Sequence, residues 1–139
     1  MTLSPAEKCD LARYRMEKAE NLLHDAEILL QSGSFSSSAN RSYYAVLAAA
    51  RSLLAMRGTD PETHEGVKVF LSKEYIRPRL LPMEAGEIFR MLQARRMDSD
   101  YGDYIEIGSE EATDSVRKAR QFIDEADRVL QTALTASGS

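Results

Sequence analysis

The chain has 139 residues, of which 43% are hydrophobic and 29% are charged, and its formal net charge is −4. This length suits one domain, and the composition is typical of a globular protein and not of a disordered one. The mild acidity excludes a protein that coats nucleic acid through overall positive charge, although it allows a local basic patch. Cys9 is the only cysteine, so no internal disulfide can form, which fits a reducing compartment.

The sequence predicts neither a secretory leader nor a membrane span. Charged residues interrupt the N-terminal segment, and no stretch reaches the roughly 18 apolar residues that a span requires. We therefore expect a cytoplasmic protein that does not act at a membrane.

Two long helices are predicted in the first half of the chain. The segment Ser4-Pro5-Ala6-Glu7 combines an N-cap serine, a proline at the first helical position and a glutamate placed for a capping box. Apolar residues then recur at steps of three and four until Gly33 ends the pattern. The next helix, from about Phe35 to Met56 and closed by Gly58, is apolar on almost every side, which is typical of a central helix.

Three further helices are predicted in the second half. A short third helix starts at Asp60-Pro61-Glu62, where the proline suits the first turn. A fourth follows from about Met83 to Met97, and a connection rich in Asp and Gly comes after it. Ser109 is expected to cap the fifth helix, and residues 135–139 are expected to form a frayed tail.

No window alternates between apolar and polar residues as a strand would, so the predicted fold class is all-α. The helices predict an antiparallel four- to five-helix up-and-down bundle. We expect one domain over residues 1–139, with a core from about 5 to 134.

The residues predict no metal centre and no cofactor. A di-iron bundle needs paired Glu-x-x-His motifs, but the only histidines are His24 and His64, and neither follows a glutamate at that spacing. The acidic run Asp98-x-Asp100-x-x-Asp103 lacks the glycine and the spacing of a calcium loop. It is expected to be a solvated loop, with weak Mg²⁺ binding as the alternative.

Charge is distributed unevenly near the end of the fourth helix. Five arginines lie between residues 76 and 96, whereas residues 97–111 carry six acids and no base. Arg95 and Arg96 would be favoured at a helix C-terminus by the helix dipole. The alternative is that an arginine here binds phosphate.

A polar pair, Asn40-Arg41, enters the apolar central helix just before Tyr43 and Tyr44. Polar groups in such surroundings need partners. We expect Arg41 to pair with Asp100 or Asp103, either in a structural network or in the lining of a pocket.

Three segments together resemble the HEPN domain, and in particular the small stand-alone proteins related to the end of the chaperone sacsin. The matching segments are Asn40-Arg41-Ser42-Tyr43-Tyr44-Ala45-Val46 with the alanines after it, His64-Glu65-Gly66-Val67, and residues 96–103. The resemblance implies a dimerising helical bundle, a minimal nucleotidyltransferase as operon partner, and often a toxin–antitoxin role. In toxic members an Arg-x4–6-His signature cleaves RNA without metal, at a site formed where two subunits meet.

This sequence departs from that signature at the histidine. Arg96 matches the arginine, but Tyr101 stands where the histidine would be. A phenol titrates near 10 and an imidazole near 6.5, so an ordinary tyrosine is a poor general base at neutral pH. His64 could enter the site only if the third helix folds over it. The resemblance also makes Tyr104 a candidate for modification by the nucleotidyltransferase.

The leading hypothesis is therefore a homodimeric protein that binds a nucleotide or RNA phosphate and works with a nucleotidyltransferase. Arg96 would hold the phosphate, Tyr101 and Tyr44 would contact a base, and Arg41 and Asp100 would orient them, with Asn40 beside them. Two alternatives stay open: a divergent metal-independent ribonuclease toxin, in which Arg96 and Tyr101 would be catalytic, and a purely structural interaction bundle.

Overall fold

The computed structural model describes residues 2–101 and 106–138, apart from the side chains of Ser99 and Tyr101, and all regular structure in these ranges is helical. The helices are α1 (Pro5–Gln31), α2 (Phe35–Met56), α3 (His64–Leu71), α4 (Met83–Tyr101) and α5 (Ser109–Ala136). A π-helical turn, Ser72–Ile76, follows α3 directly. The predicted all-α helical bundle is confirmed, and no helix of the described residues is long and apolar enough to cross a membrane.

Helices α1 and α2 run antiparallel, and buried serines join them. The Ser38 hydroxyl donates to the Ala26 carbonyl at 2.7 Å, and the Ser52 hydroxyl donates to the Ala12 carbonyl at 2.6 Å. The serine early in α2 bonds to a residue late in α1, and the serine late in α2 bonds to a residue early in α1, so the two helices run in opposite directions. Because serine and alanine are small, the two backbones can approach closely enough for these bonds.

Helices α4 and α5 are also antiparallel. The amide of Gln121 donates to Glu84 at 2.7 Å, and the guanidinium of Arg95 donates to Asp114 at 2.9 Å. Helix α2 contacts each of the other four helices, so it is the central helix that its apolar composition predicts. Its largest fully buried side chains are Tyr43, Leu53, Leu54 and Val46.

The predicted start of α3 at Asp60-Pro61-Glu62 is wrong, because the helix begins at His64. Thr63 occupies the N-cap position, and its hydroxyl accepts a hydrogen bond from the Gly66 amide at 2.9 Å. This cap satisfies one of the first-turn backbone amides that have no partner within the helix, so the helix starts after Thr63 and not at Pro61. As a result His64 is the first residue of α3.

Helix α4 ends at Tyr101 and not near Met97. Asp100 therefore belongs to the helix, and its carboxylate accepts from Arg96 one turn earlier at 3.4 Å. An ion pair at this spacing supports helical structure. The acidic run predicted as loop from Asp98 onward is thus helical as far as Tyr101.

Helix α5 differs slightly from expectation at both ends. Gly108 takes the N-cap position without a side-chain cap, and Ser109 is the first helical residue and not the cap. At the other end the helix includes Thr135 and Ala136, which were expected to lie in the tail. The buried Leu134 holds this last turn against the core.

Candidate functional site

Arg96 of α4 is the centre of a polar cluster between three helices. Its Nη1 donates to Asp100 Oδ2 at 3.4 Å, and its Nη2 donates to His64 Nδ1 at 3.5 Å. Only 12% of its side chain is exposed. A guanidinium in this environment keeps its charge, because its pKa lies far above neutrality.

Two tyrosines of α2 lie beside the guanidinium. Its Cζ atom is 5.4 Å from the ring centroid of Tyr43 and 5.8 Å from that of Tyr44. Both distances allow cation–π attraction. Tyr43 is fully buried, whereas Tyr44 is partly exposed and meets Tyr43 edge-on with 5.4 Å between the centroids. The rings therefore hold Arg96 in place, and part of Tyr44 faces solvent.

His64 reaches the cluster from the first residue of α3. Its Nδ1 lies 3.0 Å from the Tyr43 hydroxyl. Burial, and then the positive charges of Arg96 and Arg51, lower the pKa of His64 below its ordinary value. Burial raises the pKa of Tyr43 to about 12. At neutral pH the phenol is therefore protonated and the imidazole is neutral.

A surface cavity of about 360 Å³ opens next to this cluster and is lined by Asn40, Arg41, Asp100, Leu29, Ser36 and Ser37. The Asn40 amide donates to Asp100 Oδ1 at 3.1 Å. Within the described residues no hydrogen bond or ion pair joins Arg41 to Asp100. Asn40 takes the position expected for Arg41, and the other proposed partner, Asp103, lies outside the described residues.

Arg95, the neighbour of Arg96, has a separate structural role. It donates to Asp114 at 2.9 Å and to the Ser115 hydroxyl at 3.0 Å, which ties α4 to α5. Because α4 continues to Tyr101, neither arginine stands in the last turn. The helix-dipole explanation is therefore wrong for both, and specific side-chain partners replace it.

The candidate residues fall into two groups. The structure brings Arg96, Asp100, Asn40, Tyr44 and Arg41 to one end of the bundle. Tyr101 is the last residue of α4, but its side chain lies outside the described part of the structure, as does Tyr104 altogether. The described residues hold no group of three or more His, Cys, Asp or Glu side chains that could bind a metal ion.

Sequence reasoning did not assign Tyr43 or His64 to the site, although both contact its centre. One signal could have found them. His64 stands in one of the three segments that carry the family resemblance, and Tyr43 stands in another. What was missing was the Thr63 cap, which fixes where α3 starts.

Comparisons with known proteins agree with this fold. The sequence model of the HEPN domain family matches residues 12–129 of this chain. A "UPF0332 protein" of Thermotoga maritima is 29% identical over 90% of this chain and 95% of its own length. A protein of Methanocaldococcus jannaschii that carries the name "Putative toxin" is 30% identical over 83% of this chain and 78% of its own length.

A solved structure has the same fold. The crystal structure of TT1696 from Thermus thermophilus superposes with a TM-score of 0.73, covering 85% of this chain and 97% of that protein. The sequence identity is 19%, so this similarity concerns the fold alone. The family match extends over most of the bundle, from α1 to α5. The chain therefore belongs to the HEPN domain family.

Proposed function

We propose that this HEPN protein binds a phosphate group of a nucleotide or of RNA at Arg96. The observation that carries the proposal is the anchoring of the guanidinium by Asp100, His64 and the rings of Tyr43 and Tyr44. A guanidinium matches the geometry of a phosphate. Fixing its orientation before the ligand arrives lowers the entropy cost of binding.

The neighbouring cavity supports a ligand larger than phosphate. Its volume of about 360 Å³ lies within the range of roughly 300–1,000 Å³ seen for small-molecule sites. In this proposal Asn40, Arg41 and Asp100 orient the remainder of the ligand, and Tyr44 together with Tyr101 stacks on a base or donates a hydrogen bond to it.

We further propose that the protein is a homodimer and the partner of a minimal nucleotidyltransferase in a toxin–antitoxin-like pair. Membership of the HEPN family and a relative that is named as a toxin candidate support this proposal. In such a pair, Tyr104 is the residue that the nucleotidyltransferase would modify. Co-expression with a nucleotidyltransferase encoded next to this chain, followed by co-purification and mass spectrometry of Tyr104, tests these points.

The test of the site measures binding of labelled ATP and of a short RNA to wild type and to Arg96→Ala. Arg90→Ala is the matched control, because Arg90 is an exposed arginine of the same helix. We expect Arg96→Ala to lose affinity by at least about tenfold and Arg90→Ala to bind as wild type does. Equal binding by Arg96→Ala, or no binding by wild type, would remove this site. The two probes show whether the phosphate belongs to a nucleotide or to RNA.

A second candidate function, a divergent metal-independent ribonuclease, is favoured by one observation. A histidine does lie beside the motif arginine, with 3.5 Å between His64 Nδ1 and Arg96 Nη2. It predicts growth arrest and RNA cleavage when the chain is expressed alone, both abolished by Arg96→Ala. Normal growth with intact cellular RNA would count strongly against it.

A further inference from the structure

We infer that His64 is a second ligand-binding residue of the Arg96 site, and that its neutral imidazole donates a hydrogen bond from Nε2 to an oxygen of a second phosphate of the nucleotide or RNA whose first phosphate Arg96 holds. The inference rests on the proposed function, since it names another group that holds the same ligand. It assigns a role to a histidine that lies outside the family's arginine–histidine signature.

The contacts of His64 point to this role. The described residues that hydrogen-bond to the ring, Tyr43 at 3.0 Å and Arg96 at 3.5 Å, both do so at Nδ1. The side chain is only partly buried. The ring is therefore anchored through Nδ1, and Nε2, on the side of the ring away from the Arg96 guanidinium, can reach a part of the ligand beyond the phosphate that Arg96 holds.

The chemistry of the two neighbours fixes which nitrogen carries the proton. A guanidinium has donors and no acceptor, so Nδ1 must accept from Arg96. The Tyr43 hydroxyl is protonated, since burial raises the pKa of Tyr43 to about 12, and it can donate to the same nitrogen. A neutral histidine whose Nδ1 accepts must carry its hydrogen on Nε2.

This tautomer suits a binding group and not a general base. A base must offer a nitrogen without a proton to the substrate, but the Nε2 of this tautomer is already protonated. Protonating Nδ1 instead would direct an N–H bond at Arg96, and the lowered pKa of His64 agrees with the cost of that arrangement. We therefore expect His64 to strengthen phosphate binding without transferring a proton.

Two substitutions distinguish the contributions of the two ring nitrogens of His64 to ligand binding. His64→Gln keeps an N–H donor near the position of Nε2, whereas His64→Asn keeps an acceptor near the position of Nδ1 and has no group at Nε2. We expect His64→Gln to bind the ATP or RNA probe within about threefold of wild type and His64→Asn to lose at least about tenfold. Comparable melting temperatures for the two variants exclude misfolding as the cause.

The outcomes distinguish this inference from the proposed function. If wild type binds a probe but His64→Asn binds it equally well, the inference fails and the Arg96 site stands. Equal losses of affinity in both variants would also overturn the inference, because His64→Gln retains a donor near the position of Nε2 and should keep its binding. If wild type binds neither probe, both proposals fall.

The tautomer can be measured without a ligand. Nitrogen-15 NMR of the two histidines distinguishes protonated from bare ring nitrogens, and the exposed His24 serves as an internal reference. We expect His64 at neutral pH to show a bare Nδ1 and a protonated Nε2. A protonated Nδ1 would overturn the inference.

Discussion

The imidazole of His64 and the phenol of Tyr43 meet with 3.0 Å between Nδ1 and the hydroxyl oxygen. The two residues come from α3 and α2, and Arg96 of α4 reaches the same nitrogen. Three helices thus converge on one atom of a histidine. Any change that moves one of these helices should therefore alter the surroundings of His64 and its pKa. The titration of His64 is thus a sensitive probe of the site.

Replacing Arg96 with glutamine should raise the pKa of His64. The positive charge of Arg96 disfavours the imidazolium, and glutamine removes that charge while keeping a polar side chain. The measurement is an NMR titration of the two histidines. Arg128→Gln on the exposed surface of α5 is the control and should leave His64 as it is in wild type. An unchanged or lower pKa of His64 in Arg96→Gln would contradict the assigned contact.

Stability should depend on pH through His64. Its pKa is lower in the folded state than in an unfolded chain, so the unfolded state binds more protons as the pH falls. The contribution of His64 is therefore fully present above its ordinary pKa of about 6.5 and is lost as the pH falls toward the folded value.

Urea unfolding of wild type and His64→Gln between about pH 5 and pH 7.5 measures this effect. Tyr43 and Arg96 both contact the ring, and neither of them titrates in this window. We expect the free energy of unfolding of wild type to fall more steeply on acidification than that of the variant. Parallel curves would show that folding does not lower the pKa of His64.

Asp114→Asn should destabilise the protein by about 1–2 kcal/mol at neutral pH. Burial opposes ionisation of Asp114, but hydrogen bonds from Arg117 and Arg95 outweigh it and lower the pKa of the carboxyl. The stabilisation is present above the ordinary carboxyl pKa and is lost as the pH falls through the folded value. Urea unfolding at pH 7 and at about pH 2.5, well below the ordinary carboxyl pKa, should show the difference and its loss.

The matched control is Asp10→Asn, which breaks the ion pair of an exposed carboxylate with Arg13. Exposed pairs of this kind contribute at most about 1 kcal/mol and commonly less. If Asp114→Asn lowers the free energy of unfolding by no more than this control does, the contacts of Asp114 with Arg95 and Arg117 have no special role in stability.

Ala49→Leu should destabilise the bundle by about 1–3 kcal/mol or more. Ala49 is fully buried in α2, the helix that contacts all the others, so the added carbon atoms have no space without shifting a neighbour. Ala6→Leu, at an exposed position of α1, should change stability by less than about 0.5 kcal/mol. Thermal or urea unfolding compares them, and a neutral Ala49→Leu would mean that α2 is not closely packed there.

The sequence by itself determined most of the bundle, because the relevant signals are local. The capping box at Ser4 and Glu7 starts α1 as predicted. Gly33 and Gly58 end α1 and α2 with left-handed φ angles of 80° and 70°, which only glycine adopts at low cost. The apolar surface of α2 predicted its central place, since a helix that is apolar all round must be covered.

Only the tertiary structure decided what surrounds Arg96. The sequence, through its family resemblance, pointed to Arg96 with Asp100 and Asn40, but it left the place of His64 open and passed over Tyr43. The contact of His64 with Arg96 depends on where α3 begins and how it packs over α2 and α4. Capping rules describe a few neighbouring residues, whereas this contact joins three segments distant along the chain. Its geometry follows from packing of the whole bundle, which no local pattern encodes.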